Sequence, residues 1–163
     1  MPRLHVFSAI ALLFLVSACG GKNAGEEVGE FKNDLYGNEI KVQALKDPKV
    51  GGVTCHMTYF DRGVWDRAAK GDWFENPSNT SIACRQTGPI TIGDIDTRKD
   101  GEIVFTQRQS LVFKSIGVRR VYDAENETLM YVTYSRKPVN GSAKMSLSTV
   151  SRYGQDVTWS SND

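Results

Sequence analysis

The residues with chemical reach in this chain of 163 are three cysteines, two histidines and some close carboxylate pairs. Cys55 and Cys84 each stand in an alternating run, Val53-Thr54-Cys55-His56-Met57-Thr58-Tyr59-Phe60 and Ser81-Ile82-Ala83-Cys84-Arg85-Gln86. Two strand-borne cysteines in an oxidising compartment form a disulfide, contributing about 2–4 kcal/mol by restricting the unfolded ensemble. The rival role is a redox pair or a nucleophilic thiol assisted by His56. The cysteines lack CxxC spacing, and strand neighbours project to opposite faces, so His56 is expected to point away from Cys55.

His56 with Asp61 or Asp66 is the one histidine-based acid–base combination, since His5 lies in the N-terminal segment. A zinc site needs companions that the sequence does not supply, and no metal or other cofactor is expected. Asp94 with Asp96 and Glu125 with Glu127 fall in polar, turn-like stretches where solvated acids are the default. The cations Arg108, Lys114, Arg119, Arg120, Arg136 and Lys137 raise an anion site, with Arg108 and Lys114 as its candidates. Alternation weakens a single basic face, because Arg119 and Arg120 in one strand must face opposite sides. Arg120 is expected to lay its stem along Tyr131 or Tyr122. Trp65 and Trp73 are candidate binding anchors, with a lid over the sheet as the plainer role, because Trp65, Ala69 and Trp73 recur at helical spacing.

Where these groups work is set by the N-terminus. Arg3 precedes an apolar run from Val6 to Val16, then Ser17, Ala18 and Cys19. Eleven such residues are too few to span a bilayer, which needs ~20 in a helix, so residues 1–18 read as an export signal. Val16-Ser17-Ala18-Cys19 resembles the lipobox of bacterial lipoproteins, in which the cysteine is lipidated and becomes the first residue. Ordinary cleavage after Ala18 is the alternative. Cysteine parity favours lipidation, because acylating Cys19 removes the odd thiol. Several acyl chains make a stable anchor where one is marginal. Gly20, rather than Asp, after the cysteine is compatible with sorting to the outer membrane of a Gram-negative cell.

Residues 19–35 read as a flexible, Gly-rich and charged tether, 36–153 as one domain, and 154–163 as a polar tail. Twenty basic against 19 acidic residues give a net charge of +1, which supplies no general attraction to nucleic acid. Within the domain, Ile40, Val42 and Ala44 alternate with polar residues up to the Asp47-Pro48 turn, and Val53, Cys55, Met57 and Tyr59 share one face of a second strand. A short helix limited by Gly63 and Gly71 follows, then a strand through Cys84 closed by Gly88-Pro89. The stretch Glu102 to Ser135 holds three strand segments with a bend near Gln107, and Ser142 to Tyr153 adds a last strand or a short helix.

Val53-Thr54-Cys55, Ile82-Ala83-Cys84-Arg85-Gln86-Thr87-Gly88-Pro89-Ile90, Gly101-Glu102-Ile103-Val104-Phe105, Ser110-Leu111-Val112-Phe113-Lys114-Ser115 and Tyr131-Val132-Thr133-Tyr134-Ser135 stand in an order that resembles the CreA family of small exported bacterial proteins. The likeness covers roughly Glu39 to Val150. It implies the Gram-negative envelope, supports the disulfide, and brings no established enzymatic activity. The lipobox and the tryptophan-bearing 62–80 segment depart from it.

The expected fold is mainly β, with α+β as the alternative: a single antiparallel domain, sandwich- or barrel-like, with one short helix or lid. The expected function is a non-enzymatic envelope lipoprotein at the inner leaflet of the outer membrane, facing the periplasm, held by its lipid anchor and binding a small ligand or another envelope component. The alternatives are a hydrolase-like enzyme using His56 and a carboxylate, and a purely structural interaction protein.

Overall fold

The computed structural model describes residues 25–70, 80–108, 115–136 and 143–160. Two antiparallel meanders make two sheets. The first contains β1 (Glu26–Lys32), β2 (Glu39–Lys46), β3 (Val50–Asp61) and β4 (Thr80–Ile92), with β9 (Thr158–Trp159) added in parallel to β4. The second contains β5 (Glu102–Arg108), β6 (Ser115–Asp123), β7 (Thr128–Ser135) and β8 (Met145–Ser151). Between β3 and β4 lies α1 (Val64–Lys70). The chain is a mainly β, sandwich-like domain with one short helix among the described residues, as the alternation predicts.

Burial follows the period of two. Val53, Cys55, Met57 and Tyr59 on β3 and Ile82, Cys84, Ile90 and Ile92 on β4 point inward, against Ile116, Val118, Leu129, Tyr131 and Val150 of the second sheet. The sheets approach where β8 and β7 lie against β4, and there the Cys84 amide donates to Ser148 Oγ at 2.8 Å.

Several boundaries differ from the sequence reading. The expected tether contributes β1, because Phe31 and Gly29 find partners in Ile40 and Val42 of β2. The polar tail contributes β9. Gly88-Pro89 does not close β4. A register shift between Gly51 and Val53 lets the strand pass the proline, and Gly52 makes room with φ at +76°. A Cβ on Gly52 would sit 2.1 Å from the Pro89 carbonyl oxygen, so a larger residue there pushes the strands apart.

On β2 the apolar positions face outward. Ile40, Val42 and Ala44 pair with Phe60, Thr58 and His56 and so lie on the outer face, while Lys41 and Gln43 share the inner face with Tyr59 and Met57. The inner face of β2 is polar at this end, with Lys41 3.6–3.9 Å from carboxylates of Glu27, Glu30, Glu39 and Asp61.

Candidate functional site

Cys55 and Cys84 face each other directly across β3 and β4 and form a disulfide, with both residues in the core. His56 lies on the opposite, exposed face, between Ala44 of β2 and Ala83 of β4. Asp61 has the parity of the inner face and pairs with Lys41 at 3.7 Å and Arg67 at 3.5 Å. The structure therefore does not bring His56 and Asp61 together. Asp66, the other carboxylate considered for His56, is buried on α1 between Arg62 at 2.5 Å and Lys70 at 2.8 Å. Hydrogen bonding from Lys70 and the charge of Arg62 hold its carboxyl below the usual range despite burial.

The same helix leaves Trp65 80% exposed, so the covering lid expected of it is not formed by that side chain. The reason is the rotation of α1: its buried position is Asp66, held by the two cations, and Trp65 is turned to solvent. Trp73, Lys114 and Cys19 lie outside the described residues. Arg108 is the last residue of β5, paired with Ser115, at the end of the second sheet shared with Ser135 and Met145.

The strongest polar constellation centres on Arg120, the largest fully buried side chain. Its Nη1 donates to both carboxylate oxygens of Asp47 at 2.5 Å, and its Nη2 donates to Glu102 Oε1. Tyr131, opposite Arg120 on β7, donates its hydroxyl to Asp47 Oδ2 at 3.0 Å. Lys49 closes the network on the other Glu102 oxygen at 2.9 Å. Burial drives the Glu102 carboxyl upward, but the Lys49 hydrogen bond, the Asp96 amide and the Arg120 charge outweigh it and hold the group below the usual range. Burial, and then the adjacent Asp47 carboxylate, raise the Tyr131 phenol well above its ordinary value, so it stays a donor.

The packing role expected for Arg120 against Tyr131 is thus an ion pair as well. Alternation carried that signal, because an inward arginine requires a buried carboxylate. Outside the network lies a shallow polar cleft of about 270 Å³ lined by residues including Lys49, Thr91, Asp94 and Ser160. Lys49 is committed to Glu102. Asp96, next to the cleft-lining Asp94, is held at about 2 by hydrogen bonds from the Arg98 side chain and backbone.

A second arginine was not found by sequence reasoning. Arg152, 8% exposed, stacks over Tyr122 at 4.9 Å and Trp159 at 5.6 Å and donates to the Tyr122 hydroxyl. Among the described residues there is no group of three His, Cys, Asp or Glu placed to hold a metal.

The outward face of the second sheet carries several apolar side chains where an exposed sheet face is ordinarily polar. Cross-strand rows run Ile103, Arg119, Val132, Leu147 and Gly117, Tyr134, Met145. Met145 is 68% and Leu147 56% exposed. The Tyr134 ring lies over Gly117, where a Cβ would sit 3.0 Å from the ring.

A family model described as CreA protein matches residues 25–155. The chain is 36% identical over 154 residues to "Protein CreA" of Escherichia coli (strain K12), covering 92% of this chain and 96% of that protein. The same identity and coverage hold for "Protein CreA" of Escherichia coli O157:H7. No solved structure matches the chain. The matched region takes in both cysteine strands, the Arg120 network and the whole second sheet, and the chain belongs to the CreA family.

Proposed function

We propose that the protein is a lipid-anchored component of the bacterial envelope that binds another envelope component through a sheet face and performs no catalysis. The observation that carries this reading is the outward face of the second sheet, where Ile103, Met145 and Leu147 are 42%, 68% and 56% exposed beside Val132 and Tyr134. Val132, Tyr134, Met145 and Leu147 adjoin one another across β7 and β8, and an exposed apolar patch of this kind on a sheet face marks an interaction surface. The rival hydrolase loses its geometric basis, because His56 and Asp61 stand on opposite faces of β3.

The anchor rests on the sequence and on cysteine parity. Cys55 and Cys84 consume each other, which leaves Cys19, after Val16-Ser17-Ala18, as the third cysteine of the chain. Acylation of Cys19 would hold the domain at the inner leaflet of the outer membrane, facing the periplasm, a destination with which Gly20 is compatible.

A photoreactive side chain placed at position 147 in the living host tests the binding face against one at position 56. The reading expects an adduct from position 147 and none from position 56. Equal labelling at the two positions contradicts it.

A further inference from the structure

We infer that the outward face of the second sheet, together with Arg136 and Lys144 at one end of it, is a docking surface for an anionic phospholipid bilayer. This inference rests on the binding reading above and names its occupant.

Charge and apolar exposure coincide at one end of the sheet. From Thr128 to Gln155 the chain holds four basic residues, Arg136, Lys137, Lys144 and Arg152, and no Asp or Glu. Arg152 is buried at the far end, whereas Arg136 and Lys144 are exposed next to the row of Tyr134 and Met145. The acids Asp123, Glu125 and Glu127 occupy the β6–β7 turn at the opposite end. Along β8 the outward side chains run Met145, Leu147, Thr149, Ser151, from apolar at the basic end to hydroxylated at the acidic end. Arg119, in the middle of the face, donates through Nη1 to the carbonyls of Asp100 and Gly101, which draws its charge toward the β5 side.

This gradient fits a lipid surface better than a second copy of the chain. A two-fold copy laid antiparallel brings the basic end over the acidic β6–β7 turn but sets the apolar Met145 and Leu147 against the hydroxyls of Thr149 and Ser151, so the apolar side chains stay without an apolar partner. Laid parallel, it sets Arg136 and Lys144 against themselves. In an anionic bilayer the cations meet headgroup phosphates while Met145, Leu147 and Tyr134 enter the boundary of the acyl region, which satisfies both chemistries together. The six residues from Gly20 to Gly25 span at most about 22 Å, which keeps the domain near the membrane whichever face it presents. A domain anchored at Cys19 cannot stand far from the membrane. The other apolar row, Phe31, Ile40 and Phe60 on the first sheet, lies at the opposite end of its face from the exposed cations Lys46 and Arg85, with Thr58 and His56 between them, so charge and apolar exposure do not coincide there.

The test is flotation of a chain running from Gly20 to Asp163 with vesicles of equal parts phosphatidylglycerol and phosphatidylcholine, compared with phosphatidylcholine alone. Every described element lies within that chain, and the intact disulfide and circular dichroism check its fold. Binding is expected to the anionic vesicles and to weaken as salt rises. Arg136→Glu with Lys144→Glu is expected to lower affinity at least 30-fold, and Met145→Asp with Leu147→Asp at least tenfold, while Phe31→Asp leaves it unchanged. Equal binding to both vesicles, or binding untouched by both pairs of substitutions, overturns the inference. So does a dimer in light scattering that Leu147→Asp dissolves, which assigns the face to a second copy. The tested chain lacks Cys19, so its failure is separable from a failure of the anchor.

Discussion

Arg120 on β6 holds Asp47, in the turn after β2, with Nη1 at 2.5 Å from each carboxylate oxygen and both side chains fully shielded from solvent. The contact joins the two sheets, and Tyr131 and Glu102 complete it. Removing one member of a buried pair strands the other's charge and costs about 3–5 kcal/mol, whereas replacing both with apolar groups is often nearly neutral. Arg120→Met is therefore expected to lower stability by about 3–5 kcal/mol, and the double variant Arg120→Met with Asp47→Leu by less, as read from urea unfolding midpoints. A loss under about 1 kcal/mol for Arg120→Met contradicts a structural role for the pair.

Glu102 makes the same junction sensitive to acid. Its folded-state carboxyl titrates below the ordinary value of 4.5, so the charged form is favoured by folding. The sign follows from linkage: its contribution is present above about pH 4.5 and is lost as the pH falls through the lower folded value. Glu102→Gln is expected to be less stable than the parent at neutral pH, with a shallower loss of stability below pH 4.5. Parallel pH profiles for the two proteins refute this.

The disulfide closes a segment with a sequence separation of 29. Chain entropy assigns a loop of that size about 3–4 kcal/mol. Replacing both Cys55 and Cys84 with Ser is expected to reduce stability by about that amount. Since both residues are at most 1% exposed, the native protein is expected to resist mild reductants until it unfolds. Alkylation of reduced samples, with and without denaturant, reads this directly.

His56 stands between Ala44 and Ala83 on an exposed face with its strand neighbours turned inward. His56→Ala is expected to change stability by no more than about 0.5 kcal/mol and to leave crosslinking through position 147 intact. Loss of crosslinking in that variant returns His56 to the functional surface.

Much of the architecture was legible in period-two alternation. Val53, Cys55, Met57 and Tyr59 face inward as their spacing indicates, and Arg119 and Arg120 divide between two faces. At β2 alternation found the half-buried strand but not which face meets the core: both faces are only partly covered, and the register with β3 turns Ile40, Val42 and Ala44 outward. The turn signal at Gly88-Pro89 misled, because a bulge on the partner strand, at Gly52, absorbs the interruption. The outward face of the second sheet was hidden for a different reason. Single strands such as Leu129 to Ser135 show apolar residues on both parities, and only the strand order β5, β6, β7, β8 assembles Ile103, Val132, Tyr134 and Leu147 into one surface.

Anchoring at Cys19 is the claim that sets the protein at the membrane, and the intact mass of protein extracted from native membranes measures it. The account predicts a chain beginning at Cys19, carrying covalently attached acyl groups and one disulfide. A chain with an unmodified Cys19 contradicts it.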